Sequence, residues 1–143
     1  MPIRISRAML AEVIADARLT PDRERCGLLF GGEYEIGGWL AVANIHPDPE
    51  RHFELDPAAL IAAERRARQG HAPPVIGHYH FHPEGEATPS ANDAAAALPD
   101  GRLWLIVGRD DVQLWRSGRP INFGEATPDR WGCFFREELV CAD

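Results

Sequence analysis

Gly77-His78-Tyr79-His80-Phe81-His82-Pro83-Glu84-Gly85-Glu86-Ala87-Thr88-Pro89-Ser90-Ala91-Asn92-Asp93 is the stretch from which the rest of the chain is best read. The run from Pro74 to Phe81 reads as a strand that Pro83 ends. Side chains alternate faces along a strand, so His78, His80 and His82 share one side, and Tyr79 and Phe81 share the other. Imidazoles at i and i+2 sit roughly 7 Å apart at Cα, and both rings can then reach one ion at about 2.0–2.1 Å. A catalytic zinc takes three protein ligands and keeps one position open. Asp93 is placed to be the third, in the first turn of a helix expected to start near Ser90 and end by Pro99. His78, on the same strand face, is the alternative third ligand. Ser90-x-x-Asp93 is also a helix-capping arrangement ahead of the apolar run from Ala94 to Leu98, and one aspartate can serve both purposes.

Outward from this stretch, helices and strands mix along the chain. Upstream, Ile3-Arg4-Ile5 reads as a short strand and Arg7 to Arg18 as a helix capped by Ser6, with Leu10, Val13, Ile14 and Ala17 on one face. Cys26 to Phe30 reads as a buried strand closed by Gly31-Gly32, and Trp39 to Ile45 as a second strand broken by His46-Pro47-Asp48-Pro49. His52 to Leu55 is a brief extended piece. Asp56-Pro57 then starts a helix expected to run to Gln69 and stop at Gly70. Downstream, Leu103–Val107 and Val112–Arg116 form an expected hairpin. In the tail from Glu125, Glu137 to Val140 is a candidate last strand. The pattern predicts an α/β protein of one domain, residues 1–143, with a mixed β-sheet flanked by helices.

Composition narrows the class. The 143 residues suit one core, and 45% apolar with 26% charged residues is ordinary for a globular chain. A net charge of −7 argues against a nucleic-acid partner, and the cluster Arg65, Arg66 and Arg68 reads as a solvated helix face. Three cysteines without a Cys-x-x-Cys suggest neither a disulfide framework nor a thiolate zinc knuckle. No signal peptide or membrane span is visible, so the cytoplasm is expected. Cys26 is expected to be a buried strand residue, and Trp39, Trp104, Trp115 and Trp131 to pack in the core or a groove.

His80-Phe81-His82-Pro83, followed by Ser90-x-x-Asp93 after the seven residues from Pro83 to Pro89, resembles the motif of the JAMM (MPN+) metallopeptidases. That motif is His-Ser/Thr-His, seven residues, then Ser-x-x-Asp, with a glutamate well upstream. Pro21-Asp22-Arg23-Glu24-Arg25-Cys26-Gly27-Leu28-Leu29-Phe30-Gly31 is similar to the upstream segment of compact bacterial members. Phe53-Glu54-Leu55-Asp56-Pro57 is similar to the phenylalanine and Asp-Pro helix start that those members show. The resemblance spans roughly Ile5 to Val107. It implies the MPN/JAMM fold, which is cytidine deaminase-like. It also implies one Zn2+ per chain on His80, His82 and Asp93, with Glu24 as general base and Ser90 helping to hold the oxyanion. Phe81 departs from the family's hydroxyl residue, and alternation points it away from the metal.

The substrates implied are peptide or isopeptide bonds at the C-terminus of ubiquitin-like or sulfur-carrier proteins. In the compact bacterial members the leading expectation is trimming of a sulfur carrier to its Gly-Gly end, with cleavage of other conjugates second. Oligomeric state is not implied. Two rivals remain at this point. A cupin would share the spacing His80-x-His82-x-x-x-Glu86 but needs a further histidine downstream, and none follows His82. A metal-free scaffold domain of the same fold would typically lack one or more of the ligands retained here.

Overall fold

The computed structural model describes residues 2–119 and 127–142. Its elements run β1 (Ile3–Ser6), α1 (Arg7–Ala17), β2 (Cys26–Gly32), β3 (Glu35–Val42), α2 (Pro57–Arg68), β4 (Val75–Phe81), α3 (Ala91–Ala96), β5 (Leu103–Val107), β6 (Val112–Ser117), β7 (Arg130–Trp131), β8 (Phe134–Glu137) and β9 (Leu139–Ala142). All nine strands join one mixed sheet in the order β7-β8-β6-β5-β4-β2-β3-β1-β9. Helices and mixed pairing rule out an all-β cupin barrel.

Local chemistry explains the helix starts. The Ser6 hydroxyl accepts from the Met9 N–H, and the Asp56 carboxylate accepts from the Ala58 N–H with Pro57 in the first turn. Arg65, Arg66 and Arg68 lie exposed in the last turn of α2, as a solvated face requires, and suit the negative end of the helix dipole.

β4 lies near the middle of the sheet, antiparallel to β2 and parallel to β5. Its two faces meet different cores. Tyr79 and Phe81 join Ile3, Ile5, Val13, Leu29 and Leu105 on the α1 side. The other face looks toward Trp104, Ile106, Trp115 and Phe134. The Tyr79 hydroxyl donates to Asp16 at 2.7 Å, which ties α1 to the central strand.

Three boundaries differ from the sequence expectation. β2 continues through Gly31-Gly32, with a bulge between Phe30 and Gly31, and a Cβ on Gly31 would stand 2.0 Å from the Glu35 carbonyl oxygen. β3 begins at Glu35, ahead of the expected Trp39, because Gly37 and Gly38 lie inside the strand and dilute its apolar pattern. It ends at Val42, short of Ile45, and beyond it an isolated bridge joins Asn44 to Leu55.

The expected strand Glu137–Val140 is two strands: β8 pairs with β6, and β9 pairs with β1 at the far edge. Only Glu138 separates them, and one residue spans about 3.5 Å, so the sheet curls until its ends approach each other. Glu125 lies outside the described residues. Trp104 and Trp115 are core as expected, whereas Trp131 is exposed on the short edge strand β7.

At Gly77 an added Cβ would lie 2.1 Å from the Leu103 carbonyl oxygen. Gly77→Ala must therefore push β4 and β5 apart and is expected to lower the unfolding free energy by about 3 kcal/mol, read from urea denaturation. A loss below about 0.5 kcal/mol would mean that the strands do not pack this closely.

Candidate metal centre

Strand pairing assembles the site. In the antiparallel pair β2–β4, Cys26 stands opposite His80, and the Phe81 N–H donates to the Arg25 carbonyl at 3.0 Å. The residues just before β2 therefore lie beside the end of β4, which puts Glu24 next to His82. The loop after Pro83 is tied to β5 and β6: the His82 N–H donates to Val107, the Ala87 N–H to the Asp111 carboxylate, and the Trp115 indole N–H to the Ala87 carbonyl. From there the chain enters α3 at Ser90.

α3 starts with a full capping box. The Ser90 hydroxyl oxygen accepts from the Asp93 N–H at 3.0 Å, and the Asp93 carboxylate accepts from the Ser90 N–H at 2.9 Å. The same carboxylate reaches the imidazoles, with Oδ1 3.2 Å from His80 Nε2 and Oδ2 3.1 Å from His82 Nε2. The two Nε2 atoms are 3.0 Å apart. Ligands at about 2.0–2.1 Å around a tetrahedral zinc stand about 3.3–3.4 Å from one another, close to this triangle. Glu24 completes the group: one ligand atom from each of Glu24, His80, His82 and Asp93 lies within 4.8 Å of the others. Two imidazoles and carboxylate oxygens form a donor set suited to zinc.

The imidazoles are oriented for this. His82 Nδ1 donates to the Glu86 carbonyl at 2.9 Å, which leaves the Nε2 lone pair free to face the cluster. Phe53 stacks on the His80 ring at 4.1 Å and 18°. His78 takes another direction: its ring packs against Trp104 at 4.3 Å, its Nε2 is buried without a protein partner, and it does not join the cluster. Phe81 points into the α1 core, away from the imidazoles.

The electrostatics follow from burial and neighbours. Burial pushes the Glu24 carboxyl up to about 7; His82 opposes this and Asp93 adds to it. Burial would also raise Asp93, but attraction and hydrogen bonds from His80 and His82 hold it well below the usual carboxylate range. Burial lowers His80. It acts against the charged form of His82 as well, yet the Asp93 contact leaves that ring raised. For His78 burial dominates and takes it down to about 3. Cys26 is buried, its thiol pushed up to about 12 by burial, with Sγ 3.5 Å from the Val42 carbonyl; it is a packing residue and no nucleophile.

The backbone around Glu24 is fixed on both sides, its N–H donating to the Pro49 carbonyl at 2.7 Å and its carbonyl accepting from Asn44 Nδ2 at 2.8 Å. A groove of about 330 Å³ lies beside it, lined by Thr20, Arg23, Glu24, Ala41, Asn44 and Pro49 among others.

The sequence profile of the family described as prokaryotic homologs of the JAB domain matches residues 6–118. The chain belongs to that family. A desampylase of Haloferax volcanii is 32% identical over 126 residues, covering 86% of this chain and 81% of that protein. A probable TtuB-protein conjugate cleaving protease of Thermus thermophilus is 31% identical over 114 residues, covering 78% and 73% respectively. A JAB1/MPN domain protein of Archaeoglobus fulgidus shares the fold, with a TM-score of 0.58 at 17% identity over 97% of this chain and 98% of that one. The JAB family fold is thus the fold that the histidine motif implied.

Asp93→Ala is expected to abolish zinc retention through dialysis, whereas His78→Ala should keep the wild-type zinc content, both read by elemental analysis. Zinc loss on His78→Ala would put the three-histidine arrangement back in place of this cluster.

Proposed function

We propose that the protein is a zinc-dependent peptidase, with one zinc per chain, that hydrolyses a peptide or isopeptide bond at the C-terminus of a ubiquitin-like or sulfur-carrier protein. The observation that carries this reading is the convergence of Glu24, His80, His82 and Asp93 in one buried cluster of a JAB-family chain. In this reading His80, His82 and Asp93 would hold the metal, with the Glu24 carboxylate beside them. Bound there, zinc supplies a Lewis acid that polarises the scissile carbonyl and makes water acidic near neutral pH.

Glu24 takes the proton from the attacking water and passes it to the leaving amine. Burial raises its carboxyl and so favours taking up that proton. The Ser90 hydroxyl oxygen already accepts from the Asp93 N–H, so its own proton is free to donate to a developing oxyanion. A scaffold role without metal is disfavoured, because the whole donor set is present and buried.

Trimming a carrier and cleaving a conjugate demand the same chemistry. A relative named for cleaving a protein conjugate supports the conjugate as a second substrate form. The three free cysteines suit a reducing compartment, which supports a cytoplasmic enzyme. No helix among the described residues is long and apolar enough to cross a membrane.

The test is intact-mass analysis of a Gly-Gly carrier bearing either a C-terminal extension or an isopeptide-linked protein, with and without a zinc chelator. Chelator-sensitive release is expected. Glu24→Gln should keep its zinc and lose about 10²–10⁴-fold in turnover. Cleavage at the wild-type rate by Glu24→Gln would remove Glu24 as the base.

A further inference from the structure

Asn44, just beyond the end of β3, uses its whole carboxamide. Both amide hydrogens are donated, to the Glu24 carbonyl at 2.8 Å and to the His52 carbonyl at 2.9 Å. Its oxygen accepts twice, from the His46 N–H at 3.1 Å and from the Glu54 N–H at 3.0 Å. With two carbonyls on one side and two N–H groups on the other, only one orientation of the amide satisfies every partner. An asparagine has four such bonds to give, and here all four go to backbone.

These bonds close the loop from Asn44 to Leu55. The chain is bridged at its base by the Asn44–Leu55 pair and by the Ile45 N–H donating to Glu54. Inside the loop, His46 and His52 stack at 4.5 Å, the Asp48 N–H donates to His46 Nδ1, and the Arg51 and His52 N–H groups donate to the Asp48 carbonyl. Besides stacking its Phe53 ring on His80, the loop touches the site at two places. Its Pro49 carbonyl accepts from the Glu24 N–H at 2.7 Å, and its Arg51 carbonyl accepts from Asn92, the neighbour of Asp93, at 3.3 Å. Glu24 itself precedes β2 and is in no strand, so strand pairing does not fix its peptide groups.

We propose that Asn44 is a positioning residue for the general base: its carboxamide holds the Glu24 carbonyl directly and the Glu24 N–H through the loop it closes. The assignment rests on the proposed role of Glu24. Asn44 gives all four of its side-chain bonds to backbone and none to His80, His82 or Asp93, which stand on or beside β4 and α3, so its loss acts on turnover and leaves the metal in place. A carboxylate that drifts by about 1 Å from its working geometry loses on the order of 10²-fold in rate.

Two variants separate the parts. Asn44→Ala removes all four bonds. Asn44→Asp keeps the two accepted bonds that shape the loop but sets a carboxylate against the Glu24 and His52 carbonyls. In both, kcat on the carrier conjugate is expected to fall about 10–100-fold, with KM and zinc affinity within about twofold of wild type. The visible spectrum of the cobalt(II)-substituted protein should not change. Independently of activity, amide hydrogen exchange at Glu24 should quicken at least about tenfold while the β4 and β5 amides keep their protection.

Wild-type kcat and wild-type exchange at Glu24 in both variants would overturn the proposal. So would a fall in zinc affinity that tracks kcat, because Asn44 would then be building the metal site. If Asn44→Ala does not fold, Asn44→Asp decides. If the wild-type protein cleaves no conjugate, the peptidase reading fails, and exchange at Glu24 alone decides whether Asn44 holds that residue.

Discussion

The register in which β2 pairs with β4 is the constraint on which the site depends. Cys26 opposite His80 and Leu28 opposite His78 put the even-numbered side chains of both strands on one face of the sheet. Because alternation has a period of two, a slip by one residue would carry His80 and His82 into the α1 core and bring Tyr79 and Phe81 out. Glu24 would leave the end of β4 in the same slip. Burial on both faces of β4 fixes this register more firmly than backbone hydrogen bonding could alone.

Asp93 shows how one carboxylate can serve fold and chemistry together. It closes the capping box of a helix only six residues long, too short to be stable by propensity, and it faces two imidazoles. Bonds from the Ser90 N–H and both histidines keep it ionised despite burial. For the neighbouring Glu24 burial outweighs the pull of His82 and pushes it the other way. Two carboxylates a few ångströms apart are thus shifted in opposite directions by their environments.

Much of this was legible in the sequence because it lies in local pattern. Strand alternation put Tyr79 and Phe81 in the core, and Ser6, Asp56 and Ser90 marked the helix starts where the structure has them. The reach of His80 and His82 to one point followed from spacing alone. Glu24 did not: a single acid in a loop carries no period, and only the resemblance singled it out. The tail reads as one strand where the structure has two, because pairing partners in a curled sheet are not written in the segment itself. Asn44 was invisible for a related reason, since a side chain whose partners are all backbone leaves no compositional trace. Phe53 stood in a recognisable segment, yet its stacking on His80 depends on how the loop after β3 folds back.

The central claim is that two imidazoles, a carboxylate and a buried glutamate meet at one zinc. Zinc-edge X-ray absorption on the purified protein tests it most directly. The account predicts one zinc per chain with two imidazoles and oxygen donors at about 2.0–2.1 Å and no sulfur. Sulfur scattering at about 2.3 Å, or a third imidazole, would contradict it.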